Sequence, residues 1–129
     1  MKYLDIIALL NLVLQTLKMG KVGQINKSNL VSVQQIIVRL ESKLKEVEDT
    51  EIAISLLHDV MMVISEVCKD DSMKVITSEV QNSIIDSFIT IKRFICSEAF
   101  RYYSSISFNV DTGTIPIMKE IVAYGGGYM

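Results

Sequence analysis

Leu30-Val-Ser-Val33-Gln-Gln-Ile-Ile37-Val-Arg-Leu40-Glu-Ser-Lys-Leu44-Lys-Glu-Val47 places an apolar side chain at Leu30, Val33, Ile37, Leu40, Leu44 and Val47. The steps alternate between three and four residues. An α-helix turns once per 3.6 residues, so this spacing lines one face of a helix and no face of a strand. A regular a/d pattern over so few heptads is the seam of a bundle helix, since a dimeric coiled coil needs more repeats. Ser28 or Asn29 is placed to cap its free amides.

The same grammar extends outward. Gly20, Gly23, Gly113, Gly125, Gly126, Gly127 and the lone Pro116 all lie outside residues 24–112. Long helices joined by tight turns are therefore expected through the middle of the chain. A first helix is predicted from Lys2 to Met19. Its polar positions Lys2, Asp5, Asn11, Gln15 and Lys18 form one narrow stripe, and almost all else is Leu, Ile or Val. Such a helix belongs at the centre of a core. Asp49 or Thr50 is expected to cap a third helix reaching Lys69. Its stripe is Glu51, Ser55, His58/Asp59 and Ser65/Glu66, and its apolar density predicts a second deeply buried helix. Asp70-Asp-Ser72 reads as a turn and cap. A fourth helix is expected from Met73 to Tyr103, roughly 46 Å long at 1.5 Å per residue.

The tail changes period. Ser105-Ile-Ser-Phe-Asn-Val110 alternates polar and apolar, as a strand does. Thr114-Ile-Pro116 suits the start of a helix, with proline in its first turn. Ile117, Met118, Ile121 and Val122 then predict a short helix ended by Gly125, with a 105–110/115–124 hairpin as the alternative. The expected fold class is all-α: a four-helix bundle-like core over 1–104, with a strand-like segment and a small C-terminal helix in a 105–129 extension of the same domain.

At 129 residues the chain fits one domain. Half of its residues are apolar and its mean hydropathy is +0.36. Two helices with only narrow polar stripes are more than a small monomer can hide, which points to a second copy or another protein. The net charge is −2, which argues against non-specific nucleic-acid binding. Cys68 and Cys96 each sit in an apolar helical pattern. In an antiparallel hairpin they fall roughly 36 Å apart, far beyond disulfide reach. Two free thiols and a reducing, cytoplasmic setting are expected. Asp5, Asn11 and Gln15 break the N-terminal apolar run, so it reads as a core helix rather than a signal or a membrane span. Eighteen isoleucines and ten lysines against three arginines suggest an AT-rich genome, as of a virus or mobile element.

Motifs with chemical meaning are few. Phe108-Asn-Val-Asp111-Thr-Gly-Thr114 resembles the catalytic loop of aspartic proteases, whose paired carboxylates share a proton. The resemblance covers that loop alone, in a helical chain where the family is all-β, and no site residue is carried over. Asp-Thr-Gly is also ordinary turn chemistry. His58 is the only histidine and reads as a boundary residue, with no zinc or di-iron ligand set around it. No cofactor or metal is expected. Lys92, Arg93, Arg101 and Tyr102 interleave bases with aromatics, a composition that can grip single-stranded nucleic acid. Ile106, Phe108 and Val110, with Ile117 and Ile121, form the candidate contact with another chain, since a lone strand leaves its backbone unpaired. The leading expectation is a non-enzymatic helical protein that acts by association. The alternative is a nucleic-acid or regulatory factor using the 92–103 face.

Overall fold

A computed structural model describes residues 2–18, 27–48, 50–69, 77–104, 119 and 121–125. They form four helices, α1 (Lys2–Lys18), α2 (Lys27–Leu44), α3 (Glu51–Lys69) and α4 (Ser78–Ser104), and a single π-helical turn at Ile121–Gly125. The fold is all-α, and no strand occurs among the described residues.

The helices close into a ring. Each packs on its neighbour in sequence, and α4 returns to pack on α1. Side chains fix the directions. Gln81, at the start of α4, bonds to Leu17, at the end of α1. The Tyr3 and Tyr102 rings meet at the other end, 5.5 Å apart and tilted by 46°. Between α2 and α3, Glu41 meets His58 and Gln34 meets Ser65. Both pairs are therefore antiparallel, which for α2 and α3 follows from the short turn that joins them.

Inside the ring lies one core. α2 buries Leu30, Val33, Ile37, Leu40 and Leu44, the five heptad positions within the helix. α1 buries eight side chains from Tyr3 to Leu17 and leaves Asp5, Ala8, Leu12, Gln15 and Lys18 outside. α4 contributes Ile84, Phe88, Ile91, Ile95 and Ala99. Burying each large aliphatic or aromatic side chain is worth about 1.5–3 kcal/mol, so this apolar set dominates the stability.

α2 ends and α3 begins without glycine, through one threonine. Beyond Leu44 the amides of Glu46 and Val47 bond to the carbonyls of Lys43 and Leu44 at 3.1 and 3.2 Å, tightening the last turn. The buried Thr50 hydroxyl lies 2.8 Å from the Leu44 carbonyl oxygen and 3.1 Å from that of Val47. Its own carbonyl accepts the Ile54 amide at 2.9 Å. Thr50 thus starts α3 with its backbone and closes α2 with its side chain. The expected cap was in the right place, but the hydroxyl serves the preceding helix. A second buried polar group works at the ring seam. The Gln81 amide, 4% exposed, donates to the Leu17 carbonyl at 2.8 Å and satisfies the C-terminal end of α1.

Several expectations need correction. α3 is not deeply buried. Only Ala53, Leu57, Val60 and Ile64 are, on one stripe, and Ile52, Met62 and Val63 are exposed. α3 packs on α2 and α4, and only the stripe turned between them is covered. α4 begins at Ser78, later than Met73. Thr77 is its cap, accepting the Val80 amide on its hydroxyl at 3.4 Å and the Gln81 amide on its carbonyl at 3.0 Å. Val47 lies past the end of α2, half-buried in the turn. The strand-like segment 105–110 lies outside the described residues, as does the Asp-Thr-Gly loop. Ile121–Gly125 is helical, which removes the hairpin alternative over Ile121–Tyr124: a helical turn bonds within itself while Ile121 seats against α4. The extension is thus tied to the bundle at that turn. Cys68 is half-buried, Cys96 is buried, and neither is in a disulfide.

Candidate interaction surfaces

The residues predicted from sequence are scattered by the fold. Lys92 is buried, as are Ser97 and Cys96 nearby. Over Ile91–Ala99, α4 is buried on more than its core face, and the Ile121–Gly125 turn packs on α4. Arg93, one step of about 100° around the helix, is exposed. Arg101 Nη1 lies 3.2 Å from Glu98 Oε1, which offsets its charge. Tyr102 is half-exposed, with one face toward Tyr3. The four do not converge on one open basic surface. Among the five apolar candidates, Ile121 is 1% exposed and used inside the chain. Ile106, Phe108, Val110 and Ile117 lie outside the described residues.

His58 sits on the seam between α2 and α3, exposed, with Nε2 3.1 Å from Glu41 Oε1. Lys45 Nζ reaches the same oxygen at 3.2 Å. The His58 hydrogen bond, and after it the Lys45 one, hold the Glu41 carboxyl below the usual range. Further along, Gln34 Nε2 donates to Ser65 Oγ at 3.4 Å. The partner of His58 is thus a residue from α2, not a neighbour on its own helix. Among the described residues no group of three His, Cys, Asp or Glu side chains could hold a metal ion. No helix among them is long and apolar enough to cross a membrane.

Apolar exposure is concentrated on two helices. Val31 and Val38 on α2 are 44% and 61% exposed; Ile52, Met62 and Val63 on α3 are 61%, 68% and 46% exposed. Val31 and Val38 are a heptad apart, on one side of α2. The alternation of Gln34 and Glu41 with them puts that side beside α3. On α3, Met62 follows His58 by four residues and precedes Ser65 by three, so it borders the same seam. Sequence hydropathy alone hid this set, because these residues differ from core residues only in which way they point.

The other side of α3 borders a groove of 250 Å³ against α4, lined by Leu56, Asp59, Val60, Val63, Ser83, Ile84, Ser87 and Thr90. The small residues of α4 leave the space. Ser87 and Thr90 turn their hydroxyls onto the Ser83 and Asp86 carbonyls at 3.0 Å, so their apolar sides face outward. A shallower continuation adds Glu79, Asn82 and Asp86. The charged residues lining this face are all acidic. No protein-family model, curated protein or solved structure matches the chain.

Proposed function

We propose that this is a non-enzymatic helical protein that works by association, as a self-assembling subunit or a small adaptor or inhibitor. One observation carries the reading. Val31, Val38 and Met62 stand in solvent together along the α2–α3 seam while the core beneath them is already complete. Grouped apolar exposure on a small chain marks a contact surface. Ile106, Phe108, Val110 and Ile117 remain a proposed second contribution from the tail. The nucleic-acid alternative has less support, since Lys92 is buried and Arg101 is paired with Glu98.

Light scattering on the eluting protein tests the proposal. At high micromolar concentration the mass should be at least twice the 14.5 kDa of one chain. A strict monomer would overturn self-assembly and leave only a different protein as the partner. Nucleic acid that copurifies and leaves in high salt would favour the alternative.

A further inference from the structure

We infer that the face shared by α2 and α3 is a two-fold interface that takes a second copy of this chain. The inference rests on the self-association reading and names its surface, register and axis.

Charge selects the occupant. Arg39, one helical step beyond Val38 on the side away from α3, gives the α2 edge of the face a positive charge, and Asp59, one step beyond His58 on the side away from α2, gives the α3 edge a negative one. A basic edge and an acidic edge flank one face, so the face complements itself. Two such faces can meet about a two-fold axis in two ways. An axis across the helices lays α2 on α2 and α3 on α3, like charge on like. An axis along the helices lays α2 on the second copy's α3, opposite on opposite, at both halves of the contact. The charges favour the second arrangement. The α3–α4 face does the reverse. Its lining charges, Asp59 at the corner shared with the α2–α3 face and Glu79 and Asp86 on α4, are all acidic, so two copies would set acid on acid.

The register follows from contacts within the chain. Glu41 is level with His58 and Gln34 with Ser65, so each step forward on α2 is a step back on α3. An axis along the helices preserves height. It therefore sets Val38 against the partner's Met62, and Arg39, on the rim, against the partner's Asp59. Val38 and Met62 are among the most exposed apolar residues of the fold, and Arg39 and Asp59 are exposed as well. The polar groups along the seam enter the contact already bonded: His58 and Lys45 to Glu41, and Gln34 to Ser65. Their burial leaves few unmet demands. Two adjacent helices offer a face of roughly 27 by 20 Å. A standard interface takes about 800 Å² per partner, near a tenth of the 7533 Å² of this chain.

The test uses the full chain in sedimentation equilibrium. Val38→Glu and Met62→Glu change exposed positions, so circular dichroism should stay that of the folded bundle while the mass falls to one chain. Arg39→Glu and Asp59→Arg should each weaken association by roughly tenfold, and the double variant should recover most of the loss. A wild-type monomer would overturn both this inference and the self-association reading. A wild-type oligomer whose mass ignores Val38→Glu and Met62→Glu would overturn the face and leave self-association standing. A double reversal as weak as the single variants would overturn the axis and register.

Discussion

Leu57→Asp is expected to abolish the folded bundle. Leu57 is fully buried on the single stripe by which α3 joins the core. The substitution removes the leucine contacts, worth about 2–5 kcal/mol in buried sites. It also places a carboxylate among Ala53, Val60 and Ile64, where an unpaired charge costs several kcal/mol more. Domains have only about 5–15 kcal/mol in total, so the sum reaches the whole stability. Ile52→Asp on the same helix is the control. Ile52 is 61% exposed, and its change should stay within about ±0.5 kcal/mol. Urea unfolding followed by circular dichroism separates the two. A cooperative Leu57→Asp protein with an unchanged midpoint would mean that the stripe is not the core face of α3.

Phe88→Ala is expected to have the next largest effect. Phe88 heads the fully buried side chains by volume. It lies on α4 between Ile84 and Ile91, facing the ring interior. Truncation should cost about 3–5 kcal/mol, part lost transfer energy and part the cavity left behind. For a chain of this length that lowers Tm by on the order of 10–20 °C. The groove between α3 and α4 is on the neighbouring side, lined by Ile84 and Ser87. A fall in Tm of a degree or two would show that the surrounding side chains close in.

The ring was largely legible in the amino-acid order, for a physical reason. A helix that must meet neighbours on one side writes that side into its sequence, and Leu30, Val33, Ile37, Leu40 and Leu44 do so without exception. α1 was legible because its polar stripe is narrow, and the start of α3 because Thr50 precedes Glu51. What was not legible depends on the other chain segments around a residue. Ile52, Met62 and Val63 are as apolar as Leu57, and only the position of α3 in the ring decides which of them is covered. Lys92 reads as a surface base in the sequence, and only the packing around α4 buries it. The Thr50 hydroxyl could cap either helix, and the geometry of the turn alone assigns it to α2. The α2–α3 face was half legible. Its charges can be counted in the sequence, but its exposed valines and methionine cannot be told from core.

The Gln81–Leu17 hydrogen bond spans 64 residues of chain, and that distance has a kinetic meaning. The α2–α3 hairpin needs only the short turn 45–50 to form its contacts. The α1–α4 seam can form only after two further helices are in hand, and it carries the loop-closure entropy of the whole chain. Local hairpins should therefore assemble first and the seam last. Run backwards, the molecule has a zip whose free end lies between its first and last helices. Amide hydrogen exchange under native conditions should release α1 and the start of α4 before the α2–α3 pair.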